Sequence, residues 1–469
     1  MKKILSLICV ASISFDACAL TLTEALVSAY NNNQELIAKR EELKFRDEEM
    51  SKAISTFLPD VKFTVSKTNQ KDNRFSDVFD TNTTTQGWAK QKSKTNSLTL
   101  EQNLFAGGAS LIALQAAKYQ INVYRGDLIK TEQDVLINSI NAFNNVIYSQ
   151  NAININKSNV EALSSYLVAT KQRFDAGLAT KTEVATAEAN LEDAKSKLIS
   201  ASGAYVDAIA DFRQRTGTEP ENLVDIFAPE DLPHDLDEVI KLSQKHNPDI
   251  IIAKNSELRA GLDVNSAISA MLPSLNLSAS VSSSKTKDNR KQSFNPFIGT
   301  SERIAQISDN ARRKDITVGI ALTVPIYNKG QEYSRIRGAR SLLSKAKADY
   351  RSAVDKLNNI STQNWIEHQT NLSSLQAQQR AEESYKIALD GLINEYQEGV
   401  KPLEDLLQVR SRFFQTQLGV LDAKRRIVIS AYKIKAITGK LNAKDLGLPT
   451  KLYDPSLNYN KTIVKLVGF

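Results

Sequence analysis

The stretch QRFDAGLATKTEV, residues 172–184, returns in altered form as NEYQEGVKPLEDL, residues 394–406. Gly177 of the first stretch aligns with Gly399 of the second, and every aligned pair is 222 positions apart. A motif that recurs at a fixed distance indicates an internal duplication. The sequence therefore predicts two structural repeats, each with a glycine turn at the same place.

The fixed offset extends over most of the chain. LTLEQNLFAGG at 98–108 matches IALTVPIYNKG at 320–330 with the same offset of 222, whereas the Leu-Pro pair at 58–59 matches the one at 272–273 with an offset of 214. The second repeat has therefore gained eight residues between 273 and 326. Because insertions accumulate in exposed loops, we expect a longer loop there.

The N-terminus has the pattern of a secretory signal peptide. Lys2 and Lys3 form a basic start, residues 4–14 are an apolar core, and Ala17-Cys18-Ala19 fits a signal-peptidase site. We predict a signal peptide over 1–19 with cleavage before Leu20. The alternative is a lipoprotein signal in which Cys18 carries the lipid.

Cleavage of the signal peptide excludes cysteine chemistry from the mature chain. It removes Cys9 and Cys18, so the mature chain forms no disulfide and no thiolate metal site. The net charge of +7 falls to about +6, and the basic residues alternate with acidic ones as on solvated helix faces. This pattern argues against a nucleic-acid partner. No apolar run reaches the roughly 18 residues of a transmembrane helix.

Both repeats predict the same order of elements. A helix of about 35 residues comes first, over 22–57 and again over 236–271, and is followed by two strands and a long helical stretch. We place the first repeat at 20–235, the second at 236–445, and a C-terminal periplasmic extension at 446–469.

Four short strands alternate apolar and small polar residues. We predict them at about 60–67, 97–105, 274–282 and 315–326, with long polar loops at 68–96 and 282–313. A half-buried sheet in a soluble domain has the same alternation. The polar loops and the lack of a partner layer favour transmembrane strands. A barrel in lipid must close with about eight strands or more, so several chains have to share one, two chains giving 8 strands and three giving 12.

The segments after the glycine turns carry a heptad pattern typical of coiled coils. The apolar and small seam positions are Val184, Ala187, Leu191, Ala194, Leu198, Ala201, Tyr205, Ala208 and Phe212, and in the second repeat Leu406, Val409, Phe413, Thr416, Val420, Ala423, Ile427, Ser430 and Ile434. Each repeat is therefore predicted to form a long antiparallel helical hairpin with its tip at Gly177 or Gly399.

These features together resemble the TolC family of outer-membrane efflux and secretion channels. The resemblance is carried by the duplication, by NLFAGG and PIYNKG after the second strands, by RFDAGL and EYQEGV at the tips, and by RTG and ITG at the repeat ends. It implies a homotrimer in which twelve strands form one outer-membrane barrel and twelve hairpin helices form a periplasmic α-barrel, so the fold is mainly α with a β membrane part.

The resemblance also implies the partners and the location. The chain is expected in the outer membrane, in contact with its lipid and with a large periplasmic portion. A periplasmic adaptor (membrane fusion protein) is expected to connect it to an inner-membrane pump of ABC, RND or MFS type. Small molecules or secreted proteins leave through the bore, and no cofactor or metal is expected.

In the family, second-repeat helices bend inward at the tip and are held there by polar links. Carried onto this sequence, the gate latch consists of Glu183, Tyr396 and Lys401. The family usually has Asp and Arg where Glu183 and Lys401 stand. Because Lys makes a single-point contact where Arg forks, this latch is expected to be weaker.

The resemblance also places the constriction and the adaptor site. The constriction corresponds to Asp405 and Gln408, with Glu404 beside them, and Gln408 replaces a second aspartate, which reduces the expected cation selectivity. The residues expected to contact the adaptor at the tips are Ala176, Gly177, Leu178, Gly399 and Val400.

Two other classes of protein compete with a channel. An enzyme is disfavoured because the three histidines, His234, His246 and His368, join no recognisable catalytic motif. A structural coiled-coil tether of the envelope without channel activity explains the heptads and the signal peptide. It does not explain two strand pairs at matched positions.

Overall fold

The structure is a computed structural model that describes residues 20–78, 83–296 and 303–465. The predicted signal peptide with Cys9 and Cys18, and the last four residues, lie outside the described residues.

Both repeats contain the same elements in the same order. The first has α1 (Leu22–Asn32), α2 (Gln34–Ser55), β1 (Asp60–Val78), β2 (Thr83–Ala106), α3 (Ala109–Asp175) and α4 (Lys181–Thr216). The second has α5 (Leu236–His246), α6 (Pro248–Ser269), β3 (Ser274–Pro296), β4 (Arg303–Thr323), α7 (Gln331–Gln397) and α8 (Leu403–Ile437), and α9 (Pro455–Val464) follows. The helices of the two repeats start at offsets of 214 and 222, which confirms the duplication. The long helices α3 and α7 have 67 residues each.

The first helix of each repeat is broken once, where the sequence predicted a continuous helix. Asn33 has an extended backbone (φ −65°, ψ 122°), and its side-chain oxygen accepts the N–H groups of Glu35 and Leu36 at 3.0 and 3.3 Å. Asn247 breaks the second repeat in the same way, directly before Pro248. Asparagine favours this capping position, and proline favours the first helical turn, so the break is encoded locally.

The four strands form one antiparallel sheet in the order β1-β2-β3-β4. Pairing of β2 with β3 joins the two repeats. The strands extend far into 68–96 and 282–313, so the predicted long loops are wrong. Antiparallel pairing satisfies backbone groups whatever the side chains are, and polar side chains are tolerated where a strand face meets water. In the second repeat β3 is longer than its counterpart, with 23 residues against 19 in β1, whereas β4 is shorter, with 21 against 24 in β2.

One face of the sheet is apolar and exposed. Val61, Phe63 and Ile316 retain 58, 69 and 77% of their surface, and they alternate with small polar residues on the other face. Within the described residues β1 and β4 each pair with a single strand. The sheet therefore has two open edges and an unpartnered apolar face.

The chain divides into two compact units. The first comprises residues up to 46, 121–257 and 346–457, and the second comprises 47–120, 258–345 and 458–469. The second unit contains the sheet and the helix ends that join it. In the first unit α1, α2, α3 and α8 share a core with Leu36, Leu136, Ile140 and Leu441 fully buried. No described helix is long and apolar enough to span a bilayer.

The C-terminal segment packs onto the N-terminal helices within each unit. In the first unit the Tyr453 N–H donates to the Tyr30 hydroxyl at 2.9 Å, and the Arg40 guanidinium lies over the rings of both tyrosines. In the second unit Ser51 donates to the carbonyl of Thr462 at 2.8 Å. The predicted extension thus includes an ordered helix.

Candidate functional site: the helical tips

Both long helices end in the same glycine turn. Gly177 and Gly399 have φ of 74° and 76°, a left-handed conformation that costs glycine little. After α3, Leu178 N–H donates to the Arg173 carbonyl at 2.8 Å and Gly177 N–H donates to the Phe174 carbonyl at 2.9 Å. After α7, Val400 and Gly399 repeat this pair of bonds at 2.9 and 3.1 Å. This Schellman motif explains why glycine recurs at both tips.

The first tip continues into a fully capped helix. The Thr180 hydroxyl accepts the Glu183 N–H at 3.2 Å, and the Glu183 carboxylate accepts the Thr180 N–H at 2.6 Å. This reciprocal capping box satisfies two backbone donors at the start of α4. The half-buried Glu183 is therefore held against its own turn.

The second tip has lost this device. Pro402 stands where Thr180 stands in the first repeat, and α8 has no side-chain cap. Proline has neither a hydroxyl nor an N–H, so the carboxylate of Asp405, which aligns with Glu183, has no backbone donor to bind there. Asp405 instead lies 3.5 Å from the Lys401 ammonium, with both side chains nearly half exposed. Such an exposed pair contributes little stability.

Below the turns, the four helices of the two hairpins share one apolar cluster. The fully or almost fully buried members include Ala187 of α4 and Leu403 and Leu406 of α8, and Leu163 and Leu167 of α3 and Leu389 of α7 join them. The heptad positions nearest the tips thus meet in a single core below the tip loops, whereas Phe212 and Ile434, further along the heptads, belong to other clusters.

Arg173 and Tyr396 join the two tips directly. The Arg173 guanidinium donates to the Tyr396 carbonyl at 3.0 Å and lies 4.9 Å from the centre of its ring. The Tyr396 hydroxyl is 3.3 Å from the Thr170 hydroxyl. Because Thr170 donates its own proton to the Tyr166 carbonyl, Tyr396 is the donor in that contact. Tyr396 is buried, so these bonds fix α7 against α3.

A second contact between a charged side chain and the other hairpin lies further along α8. Arg410 donates to the Asn159 side-chain oxygen at 3.3 Å and to the Ser158 carbonyl at 3.4 Å, both on α3. Burial lowers the pKa of Arg410 from its usual high value, and the group stays charged at physiological pH. Desolvation likewise raises the pKa of the neighbouring Tyr166. A positive charge is thus held by neutral oxygens beside the predicted constriction.

The predicted latch residues have separate partners within one chain. Glu183 caps α4, Tyr396 binds α3, and Lys401 pairs with Asp405. No ion pair joins Glu183 to Lys401 in the part of the chain that the structure describes. The latch assignment stays a prediction, and a single chain does not assemble it.

The predicted constriction and adaptor residues lie at the surface. Glu404 and Gln408 are exposed and Asp405 is half-buried, whereas their neighbours Leu406 and Leu407 are buried. The five predicted adaptor positions are all exposed, and two of them carry large apolar side chains, Leu178 at 70% and Val400 at 71%. Both roles remain predictions.

Sequence reasoning missed Arg173, Thr170, Asn159 and Arg410. One signal was available for Arg173: it aligns with Glu395, so the two tips carry opposite charges at one position of the repeat. The contact between Arg410 and Asn159 had no such signal, because it joins residues 251 positions apart.

Comparison with known proteins identifies the family. A family model described as "Outer membrane efflux protein" matches residues 25–218 and 239–440, which are the two repeats. The chain belongs to the outer membrane efflux protein family. This family consists of passive channels and not of enzymes. Membership confirms the predicted relationship and the outer-membrane location with a large periplasmic part.

Individual relatives extend over nearly the whole of this efflux protein. It is 26% identical over 448 residues to the outer membrane efflux protein BepC of Brucella suis biovar 1 (strain 1330), covering 96% of this chain and 91% of BepC. It is 24% identical to the outer membrane protein TolC of Escherichia coli (strain K12), covering 95% and 88%. The crystal structure of the Campylobacter jejuni CmeC outer membrane channel matches with a TM-score of 0.74 at 18% identity, covering 94% and 89%. That structure supports the fold.

Proposed function

We propose that three copies of this efflux protein close one outer-membrane exit channel, which is gated at the helical tips and fed by a periplasmic adaptor and an inner-membrane pump. Family membership establishes the exit channel. The number of chains, the gate residues and the pump class go beyond it.

The sheet carries the argument for shared closure. Its outer strands β1 and β4 have 19 and 21 residues, and each has one described partner. Unpaired backbone groups in lipid cost several kcal/mol each, so both edges need partners. Pairing β4 of one chain with β1 of the next satisfies both edges at once. Three chains then supply twelve strands, the number expected from the family resemblance.

The contrast between the tips supports a gate in the second repeat. The first tip is capped, whereas Pro402 leaves the start of α8 uncapped. A less stable helix start moves at a smaller cost in free energy, and local stability of this kind sets which segments open first. We propose that the second tip moves, and that the contact between Arg173 of the first hairpin and Tyr396 of the second holds it in the closed position.

Lys401 has two candidate acidic partners in this proposal. Within one chain it pairs with Asp405. In the proposed trimer we place it against Glu183 of the neighbouring protomer. When Lys401 exchanges Asp405 for Glu183, its positive charge moves away from the constriction. The adaptor opens the channel by binding the open arrangement more tightly than the closed one.

The exposed tips supply the adaptor surface. Leu178 and Val400 extend apolar side chains into solvent beside glycine turns, and such exposed apolar groups favour a protein partner. We propose an adaptor of the membrane fusion class and a pump of ABC, RND or MFS type.

The test combines assembly with conductance. The purified mature chain is expected to migrate as a heat-modifiable trimer in detergent and to form cation-conducting channels of low conductance in planar bilayers. A chain that stays monomeric in detergent refutes the shared barrel. A trimer that never conducts favours the structural tether.

A further inference from the structure

Strand register places four basic residues side by side across the sheet. Lys67 pairs with Lys94, Lys94 pairs with Lys285, and Lys285 pairs with Arg312. Directly opposed residues of antiparallel strands lie on the same face with Cβ atoms about 5 Å apart. These four residues, one from each strand, form the basic row. All four side chains are exposed.

The basic row lies on the apolar face of the sheet. Phe63, Leu98, Val281 and Ile316 form one apolar row across the same four strands. Each basic residue is four positions from its apolar counterpart, and side chains an even number of positions apart share a face. At about 3.4 Å per residue, the two rows are about 14 Å apart along the strand.

This face carries positive charge without acidic residues. Beyond the basic row, Lys92 pairs with Lys287 and, further out, Lys71 pairs with Lys90. No aspartate or glutamate occupies this face over 61–71, 88–100, 275–289 and 306–322 of the described strands.

The opposite face is built differently. There Lys62 pairs with Asp60 at 2.6 Å and Arg313 pairs with Asp315 at 2.8 Å. Lys62 and Arg313 of the small polar face thus have carboxylate partners, whereas none of the four residues of the basic row forms an ion pair with a described residue.

Like charges directly opposite one another destabilise a sheet. Four of them in a row, without counter-charge on their face, therefore call for anions from outside the chain. The anions must lie beside an apolar band, since the neighbouring row is apolar and exposed. Lipid offers this combination, because its phosphates lie directly next to its hydrocarbon.

The position of the basic row along the strands indicates which lipid leaflet it meets. The helices join the strands near Asp60, Ala106, Ser274 and Thr323, and the basic row lies toward the other end, where each hairpin turns. With the helices in the periplasm, that end faces the exterior. We infer that the basic row binds phosphate groups of the lipid in the outer leaflet of the outer membrane. This inference rests on the outer-membrane location and not on the gate.

Lysine and arginine suit this ligand. Charge-assisted hydrogen bonds to phosphate are short and strong, and the guanidinium of Arg312 donates two at once. In a trimer, the row repeats three times to form a ring of twelve basic residues at the level of the lipid headgroups.

Binding is tested with the full-length mature trimer in nonionic detergent. Fluorescent lipid A that carries both phosphates is titrated against the same lipid with its phosphates removed. We expect the phosphorylated lipid to bind at least tenfold more tightly, and its affinity to fall in 0.5 M salt. Equal affinity for the two lipids overturns the inference.

Two matched double variants locate the site. Lys94→Gln/Lys285→Gln removes the two central charges of the basic row, and we expect at least a fivefold loss of affinity for the phosphorylated lipid. Lys62→Gln/Arg313→Gln removes two charges from the opposite face, and we expect affinity within twofold of the wild type. Equal losses in both variants, or no loss in the first, refute the assignment.

Channel formation is measured on the same preparations. Both variants are expected to migrate as heat-modifiable trimers and to conduct as the wild type does, so a failed channel is separated from a failed lipid site. If the first variant does not assemble, the phosphate dependence of the wild type still decides the question.

Discussion

The two helical tips descend from one duplicated unit, and they differ in how the helix after the turn is capped. Both end a 67-residue helix with a glycine in the left-handed conformation. Thr180 then closes a capping box with Glu183, whereas Pro402 leaves Asp405 without a backbone donor. The carboxylate of the first repeat is hydrogen-bonded to its own helix start, and the carboxylate of the second repeat is not. Duplication kept the turn, and divergence changed the cap.

This difference separates two roles that one hairpin could not perform together. A capped helix start is a stable anchor, and an uncapped one is ready to move. Arg173 connects the two, because it lies on the first hairpin and binds the backbone and ring of Tyr396 on the second. Three predictions test this division and a fourth compares the two repeats at a buried histidine, from the largest expected effect to the smallest.

Arg173→Ala should have the largest effect on gating. It removes a hydrogen bond from a charged group, worth about 1.5–3 kcal/mol, and the stacking on Tyr396. Partial exposure reduces the loss to roughly 1.5 kcal/mol per protomer, or about a tenfold shift toward the open state. Single-channel conductance in planar bilayers measures it. Lys171→Ala, an exposed neighbour, is the control, and equal conductance of the two variants contradicts the anchor role.

Glu183 is tested with two substitutions that separate capping from charge. Gln completes a capping box as Glu does but carries no charge. Ala lacks both the charge and the capping group. If Glu183 latches Lys401 of the neighbouring protomer, both Glu183→Gln and Glu183→Ala raise conductance about threefold to tenfold, corresponding to about 1 kcal/mol. A Gln variant that conducts as the wild type does would show that Glu183 only caps its helix.

Pro402→Thr transfers the device of the first tip to the second. The new hydroxyl and N–H should cap α8, stabilise it by about 1 kcal/mol and draw the Asp405 carboxylate onto the backbone. The constriction then loses part of its negative charge, so the reversal potential in a KCl gradient should indicate weaker cation selectivity. Pro402→Ala restores the N–H without the hydroxyl, so it should give an intermediate effect that separates the two donors. Unchanged selectivity in the Thr variant argues against Asp405 as a constriction residue.

The smallest effect concerns pH. His368 of α7 is buried and hydrogen-bonded to Ser430 of α8 at 2.9 Å, where the first repeat has Val146 and Ala208. Burial lowers the pKa of His368. Because the unfolded chain then binds the proton more readily, the stabilisation is present above the unfolded pKa near 6.5 and is lost as pH falls through the folded value.

His368→Val should therefore reduce the pH dependence of stability. We expect the thermal midpoint of the wild type to fall by a few degrees between pH 8 and pH 5, and that of the variant to fall less. His234→Gln, which changes an exposed histidine, should behave as the wild type. An equal drop in all three proteins would mean that other groups control the acid response.

Much of the fold was predictable because it depends on local signals. The repeat offset located both glycine turns, the heptads located the hairpin helices, and the alternation located the strand segments nearest the helices. The helix breaks at Asn33 and Asn247 were also local, in an Asn cap and an Asn-Pro pair, but the long helical pattern obscured them. The polar ends of the strands were assigned to loops because composition alone does not distinguish a solvated strand from a loop.

The candidate site was less predictable. The sequence placed Tyr396, Lys401 and Glu183 at the tips, and it did not show that Lys401 pairs with Asp405 or that Arg173 holds Tyr396. Which of several nearby charges meet depends on helix rotation and on the packing of the shared apolar cluster.

The sequence by itself determined the duplication, the turns and the alternation of the strands, since each is written in residues close together along the chain. Only the tertiary structure decided which residues of distant segments are neighbours. Lys67 and Arg312 belong to one basic row because interstrand hydrogen bonds fix the register, and a shift of one residue would turn every charge to the other face.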